Sequence, residues 1–286
     1  MKPLKFYLEK AQKQGFAVPQ FNFSDFSEMK AIVKRASELK SPIILGTSEG
    51  ESKFFGLDEA VAIRDVLRKK TGLPIFLNLD HGKTLEYIRQ AIDAGYDMVH
   101  FDGSKLPLEE NIKITKEVKK YIGWKNVLLE GEVGRLGTDA SRIYTEELKI
   151  NEADLTKPEE ALKYISETKV DLLAVGIGNF HGVQSSGIDP ELRIDVLESI
   201  KEVVGGIGIV LHGGSGTPES SIKHAVQNGV VKININTELR IAFANGLKES
   251  LLTGEIVPYK YLPKGQEEVE KIVEQKVRLF SSMDKV

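Results

Sequence analysis

The chain has 286 residues, 41% hydrophobic and 28% charged, with a formal net charge of −3, an ordinary folded-protein composition that excludes a dedicated, basic nucleic-acid binder. No apolar run approaches the ~18 residues that span a bilayer, and the N-terminus enters an amphipathic stretch rather than a signal-type apolar core, so no membrane role is expected. There is no cysteine, which removes disulfides, thiolate metal sites and cysteine nucleophiles and makes the cytoplasm the expected location.

Residues 1–14 read as an amphipathic helix. Short apolar, β-branched runs then alternate with longer amphipathic ones. The first candidate strand, 17–22 (AVPQFN), precedes a helical pattern over 26–39. The second, 42–47 (PIILGT), precedes 57–70, and the third, 74–80 (PIFLNLD), precedes 84–94. The fourth, 98–102 (MVHFD), is followed by a helix over 108–121, and the fifth, 127–133 (VLLEGEV), by one over 158–167. The sixth, 172–177 (LLAVGI), leads to 190–203, and the seventh, 208–212 (GIVLH), to 218–228. The eighth, 231–236 (VKININ), leads to 237–251. Residues 263–282 read as a closing helix outside the repeat. Pro158, Pro190 and Pro218 sit where first helical turns should begin. Gly15, Gly72, Gly95, Gly123 and Gly229 sit just past helix ends.

Strict strand–helix alternation implies a parallel sheet. Eight such units close into a barrel more readily than they form an open sheet, and about 250 residues suffice for one. The expected architecture is a single (β/α)8 TIM barrel over residues 1–286, with an extra N-terminal and an extra C-terminal helix. A doubly wound open sheet is the alternative.

In such a barrel the catalytic groups gather at the C-terminal ends of the strands. The polar residues there include Asn22, Ser48, Asp80, His81, Asp102, Ser104, Glu130, Glu132, Asn179, His181, His212, Asn234, Asn236 and Thr237. Three of the five histidines, His81, His181 and His212, fall on this rim. Three neutral imidazoles with an open position make a catalytic zinc set. His100, inside the fourth strand, reads as a core histidine, and His224, on a helix, as a surface one. Glu130 and Glu132 share strand parity and can both face inward, and Asp102 is a further candidate ligand. Asp80 and His81 are adjacent, so a regular strand would send them to opposite faces; the strand end must twist to bring both to the rim. A carboxylate there can exchange a proton with a substrate oxygen.

The turns His181-Gly182 and 212–216 (HGGSG) let backbone N–H groups approach an anion. With Asn234, Asn236 and Thr237 opening the last barrel helix, they occupy the usual phosphate site of such barrels. Lys232 shares parity with Asn234 and Asn236, which suits either a buried ion pair or a Schiff-base nucleophile.

At Asp80-His81-Gly82, His181-Gly182, 212–216 and 234–237 the chain resembles the class II, zinc-dependent ketose-bisphosphate aldolases, the fructose- and tagatose-bisphosphate enzymes. The similarity runs from about residue 4 to 280 and takes in Phe21-Asn22, Thr47-Ser48, 101–104 (FDGS) and 130–134 (EGEVG). It implies Zn²⁺ bound by His81, His181 and His212, with Asp80 as proton donor and acceptor at the C4 oxygen of the ketose. Glu132 and Asp102 match an alternative or second metal position. Gly182, Gly213, Gly214, Ser215, Asn234, Ile235, Asn236 and Thr237 would hold the dihydroxyacetone phosphate half, with a monovalent cation (Na⁺ or K⁺) near its phosphate. Ser48 and Arg240 would face the aldehyde half and its phosphate, and Asn22 belongs to the same substrate set. The implied reaction is reversible cleavage of fructose 1,6-bisphosphate to dihydroxyacetone phosphate and glyceraldehyde 3-phosphate, with a tagatose bisphosphate or another phosphoketose as the alternative, by a homodimer or homotetramer.

Three departures from the family pattern stand out. After His181-Gly182 the family continues with an aromatic and a lysine; here the chain reads Val183-Gln184-Ser185-Ser186. The loop after the fifth strand usually carries an acidic pair that abstracts the dihydroxyacetone phosphate proton; here 137–141 reads GTDAS, so Asp139 aligns with it, and Glu146 or Glu147 are the other candidates. Asn236 stands where the fructose enzymes carry Asp. A barrel hydrolase, a Schiff-base aldolase using Lys232 and a non-catalytic sugar-phosphate sensor are the competing functions.

Overall fold

A computed structural model, describing residues 1–136, 138, 142–185 and 189–286, resolves this alternation into ten strands. They are β1 (Val18–Asn22), β2 (Ile43–Ser48), β3 (Ile75–Gly82), β4 (Met98–Phe101), β5 (Leu128–Val133), β6 (Ile143–Tyr144), β7 (Leu172–Val175), β8 (Val183–Gln184), β9 (Gly208–Leu211) and β10 (Val230–Ile235). Eight of them close a parallel barrel in the order β1-β2-β3-β4-β5-β7-β9-β10. The remaining pair, β6 and β8, form a two-stranded parallel sheet of their own. The helices are α1 (Leu4–Gln14), α2 (Phe26–Glu38), α3 (Glu49–Phe55), α4 (Leu57–Thr71), α5 (Leu85–Ala94), α6 (Leu108–Ile122), α7 (Pro158–Thr168), α8 (Ile194–Val204), α9 (Glu219–Gln227), α10 (Thr237–Leu251) and α11 (Pro258–Leu279). The expected barrel with one extra helix at each end is the observed fold.

Two apolar layers hold it. The larger lies between the strands and the helical ring, and includes Ile32, Leu77, Val99, Leu173, Ile233 and Val273. The smaller fills the base of the barrel, where Val18, Ile44, Phe76, Met98 and Val210 meet Leu4, Tyr7, Leu8 and Ala11 of α1. That helix is the plug of the N-terminal mouth. Read upward from this base, the inward positions change chemistry at a spacing of two. Val18 is followed by Gln20 and Asn22, Phe76 by Asn78 and Asp80, Met98 by His100 and Asp102, and Leu128 by Glu130 and Glu132. The middle layer is polar and dry: Gln20, Asn78, His100, Glu130 and Lys232 are all fully buried. They are linked to one another, as when Asn78 Nδ2 donates to Gln20 Oε1 at 2.9 Å, although Asn78 Oδ1 and His100 Nε2 have no hydrogen-bond partner.

Beyond the unexpected β6–β8 pair, three helices differ from expectation. Helix α11 starts at Pro258, five residues before the predicted start, because Pro258 takes the first helical turn while Pro263 sits inside the helix. Helix α8 starts at Ile194 rather than at Pro190. The preceding backbone is committed elsewhere: Asp189 N donates to Gly216 O and Arg193 N to Ile177 O. Finally, α3 was not anticipated. Its signal is the capping box 48–51, in which the Ser48 and Glu51 side chains each accept from the other's backbone N–H.

Candidate active site

A break in strand geometry builds the centre. His81 has φ +51°, in the left-handed region that strand residues avoid, and the β3–β4 register shifts between Leu79 and Gly82. The kink undoes the alternation, so Asp80 and His81 both face the centre. His100 Nδ1 accepts the backbone N–H of His81 at 3.1 Å and so braces the kink. The reading of His100 as a core residue holds for its burial, but it has this further role.

The ring of His81 lies 4.8 Å from that of His100, 4.7 Å from His181 and 4.6 Å from His212, centroid to centroid. His181 and His212 are 6.4 Å apart. Among the described residues, the donor atoms within 4.8 Å of one another fall into two groups that share His81. One is Asp80, His81, His100 and His212; the other is His81, Asp102 and Glu132. His181 stands beside the first group, outside that distance.

The hydrogen bonds indicate which ring atoms are available. His81 Nδ1 donates to Asp102 Oδ2 at 2.9 Å, which leaves Nε2. His212 Nε2 donates to Glu130 Oε1 at 2.7 Å, which leaves Nδ1 as the acceptor, 3.1 Å from Asn234 Nδ2. Asn179 Nδ2 donates to His212 O and holds that strand end. His81 Nε2 and Glu132 Oε2 are buried with no hydrogen-bond partner. His100 Nε2 is a third such atom and lies 3.2 Å from Glu132 Oε2; buried polar atoms left without a hydrogen bond are costly unless something binds them. A set of imidazole nitrogens and carboxylate oxygens fits a divalent ion with borderline N/O preference, such as Zn²⁺ or Co²⁺.

The protonation states divide the three rings. Burial first, then the neighbouring His81 and His212, holds the His181 pKa well below the usual imidazole value. Burial also lowers His212, against the pull of Glu130. Both rings are thus neutral donors near pH 7. Burial would lower His81 too, but Asp80, Asp102 and Glu132 reverse this and push it up to about 10. Burial would raise the Asp80 carboxyl, yet His81, His212, Lys232 and His100 together hold it below the ordinary carboxylate range. Asp80 is oriented on both oxygens: Asn22 Nδ2 donates to Oδ2 at 3.0 Å and Asn234 Nδ2 to Oδ1 at 2.9 Å.

Lys232 Nζ is fully buried and donates to Glu130 Oε2 at 2.8 Å and Asn234 Oδ1 at 2.7 Å. An ammonium so committed is a structural cation, which disfavours a Schiff-base role.

The anion end follows from the glycine turns. Gly182 and Gly213 have φ of +94° and +64°. A Cβ on Gly213 would lie 2.0 Å from Phe180 O, so only glycine lets the turn approach this closely. Helix α10 begins here with no cap from the Asn236 side chain; Ser215 Oγ takes the Glu238 N–H, and Asn236 and Thr237 line the site at the positive end of the helix. A cavity of about 170 Å³ joins this end to the histidines; Asn22, Ser48, Asp80, His81, His181, Gly182, His212, Gly213, Ser215, Asn234, Asn236, Thr237 and Arg240 line it. Asp102 and Glu132 line an adjoining cleft of about 910 Å³. Gly214 does not line the cavity, because its N–H donates to Asn234 O. The Ile235 side chain is in the outer core, so only its backbone can reach a ligand. Another hollow, about 640 Å³, lies against α1 at the opposite mouth and contains none of the histidines.

Asp139 lies outside the described residues. Its chain neighbour Thr138 donates through Oγ1 to His181 O at 2.6 Å, and further along Ile143 and Tyr144 pair with Val183 and Gln184, just after His181. Glu146 and Glu147 are both exposed.

Sequence reasoning missed Glu51. It is 6% exposed and accepts from four groups: Ser48 N at 2.7 Å, Asn22 Nδ2 at 3.2 Å, Asn236 Nδ2 at 3.3 Å and Arg240 Nη2 at 2.5 Å. The capping-box spacing from Ser48 was the available signal.

A family model described as fructose-bisphosphate aldolase class-II matches residues 2–285. A fructose-bisphosphate aldolase from Streptococcus pyogenes serotype M3 is 36% identical over 293 residues, covering 98% of this chain and 97% of that protein. The crystal structure of the YdjI aldolase from Escherichia coli K12 has a TM-score of 0.84 at 25% identity, covering 99% of this chain and 98% of that one. That of a fructose-bisphosphate aldolase from Campylobacter jejuni has a TM-score of 0.82 at 24% identity, covering 99% and 94%, and shows the shared fold.

Proposed function

The chain belongs to the class-II fructose-bisphosphate aldolase family, and from that premise we propose that it reversibly cleaves fructose 1,6-bisphosphate to dihydroxyacetone phosphate and glyceraldehyde 3-phosphate. The observation that carries the reading is His81 Nε2, buried with no hydrogen-bond partner, in a cluster of four close donor residues, Asp80, His81, His100 and His212, with Asp80 oriented on both oxygens. His81, His181 and His212 would hold the metal, Zn²⁺ by the nitrogen-rich character of the set, and Asp102 and Glu132 a second or alternative position sharing His81. When bound, such an ion acts as a Lewis acid that stabilises the negative charge developing beside the substrate ketone.

The chain's own residues supply the rest. Asp80 takes the proton from the C4 hydroxyl as the carbon–carbon bond breaks and returns it in the reverse direction. Asn22 and Asn234 fix the carboxylate so that it need not reorganise during the transfer. The turns at Gly182, Gly213 and Ser215 and the backbone that opens α10 at Asn236 and Thr237 bind the phosphate of the three-carbon ketone, and a monovalent cation would balance that charge. Asp139, by its alignment with the family's acidic pair, abstracts the proton of dihydroxyacetone phosphate in the condensation direction.

The test is a coupled cleavage assay on fructose 1,6-bisphosphate with and without chelator. Activity should vanish with EDTA and return with Zn²⁺ or Co²⁺, and borohydride with substrate should not trap the protein. Full turnover in the chelated protein, or stable trapping at Lys232, would refute the reading.

A further inference from the structure

The cavity that joins the histidines to the glycine turns has Arg240 as its only lysine or arginine among the described lining residues. A sugar bisphosphate carries two phosphate dianions. The backbone N–H groups of the glycine turns and of α10 can serve one of them. A second phosphate in this cavity would depend on Arg240.

Arg240 is already taken. Its Nη2 lies 2.5 Å from Glu51 Oε1. The other groups that could bind a second phosphate at the β1–β2–β10 edge are held by the same carboxylate. Ser48 N and Asn22 Nδ2 donate to Oε2, and Asn236 Nδ2 donates to Oε1. Glu51 thus stands where an incoming anion would stand, and uses the donors that anion would need. It is buried and braced by the capping box with Ser48, so it cannot swing into solvent without unmaking the first turn of α3. A phosphate brought to this edge would meet a fixed like charge at a dry position, where repulsion is poorly screened.

We propose that Glu51 is a specificity-determining residue, which neutralises Arg240 and turns this edge of the cavity away from a second phosphate and toward the uncharged, hydroxyl-bearing end of a ketose 1-phosphate. A hydroxyl can donate to Glu51 and accept from Asn236, whereas a phosphate dianion has no proton to donate. The inference rests on the aldolase reading and refines its substrate class: the protein cleaves the bisphosphate but does not require the far phosphate.

The experiment compares fructose 1,6-bisphosphate with fructose 1-phosphate on the metal-loaded enzyme. In the wild type the two kcat/KM values should lie within about tenfold of each other, because one ion pair's worth of attraction has been cancelled. Glu51→Gln keeps the shape and removes the charge; it should raise the bisphosphate to monophosphate ratio by about tenfold or more, mainly through a lower KM for the bisphosphate. A wild-type preference for the bisphosphate of about 10³ or more would overturn the proposal without need of any variant. So would an unchanged ratio in an active Glu51→Gln enzyme, a result that would move the second phosphate to Lys83 and Arg135 of the adjoining cleft. Failure of the aldolase reading looks different: neither substrate would be cleaved by any metal-loaded form.

Discussion

The two sides of the rim handle their polar groups in opposite ways. On the β3–β4–β5 side, His81 Nε2, His100 Nε2 and Glu132 Oε2 are buried without a hydrogen bond, although the last two lie 3.2 Å apart. On the β1–β2–β10 side, Glu51 has donors on both oxygens, and Asn22 and Asn236 donate to it. Burying an unpaired polar atom costs stability, whereas a buried pair is close to neutral. The first side is therefore incomplete as it stands and points to an ion the chain must acquire. The second has supplied its own counter-charge and so restricts what else can enter. A site can be recognised by what it lacks, and its selectivity by what it already contains.

The sharpest way to break the comparison is at His81, which belongs to both candidate ligand groups. His81→Ala should lose bound metal and at least about 10³-fold in cleavage, since the ion supplies several kcal/mol of charge stabilisation. His224→Ala, on the exposed face of α9, should keep both. Metal content by atomic emission with parallel rate measurements decides this, and stoichiometric metal with normal turnover in His81→Ala would remove the site.

Asp80 comes next. Asp80→Ala should retain its metal and still exchange the proton of dihydroxyacetone phosphate with solvent, but lose about 10²- to 10⁴-fold in carbon–carbon cleavage. Asp139→Ala should show the converse, with slowed proton exchange at full metal content. Equal loss of both steps in either variant would contradict the division of labour.

A smaller effect is expected at Glu130, which reaches any ion only through His212. Glu130→Gln removes the charged acceptor of His212 Nε2–H and should weaken metal binding by about 10- to 100-fold. Competition with a chromophoric chelator measures it, and an unchanged affinity would reduce Glu130 to a partner of Lys232 alone.

The smallest effect is a proton count. In the metal-free protein His81 stays protonated up to about pH 10, whereas burial keeps His181 and His212 neutral. A ligand must lose its proton to bind metal. Uptake at pH 8 should thus release about one proton per ion, and apparent affinity should rise roughly tenfold per pH unit and level off near pH 10. Calorimetry in buffers of different ionisation enthalpy reads the number, and a value of zero would mean that His81 is not a ligand.

What the sequence by itself determined is what repeats or is local. The alternation of apolar runs with amphipathic ones specified eight βα units, because a parallel strand needs a helical crossover to reach its neighbour. Chain position relative to those strands then brought His81, His181, His212 and Asp80 to one rim, because strand ends in a closed barrel share a face. What only the tertiary structure decided are the departures from period. The left-handed His81 cannot be read from spacing; it exists because His100, on the next strand, accepts its N–H. Glu51 looks like a helix-capping residue in the sequence. It becomes part of the site only because barrel closure places β10, with Asn236 and Arg240 just beyond it, beside β1, whose other neighbour is β2. Contacts between residues some 190 positions apart in the chain depend on that closure, and no local pattern encodes them.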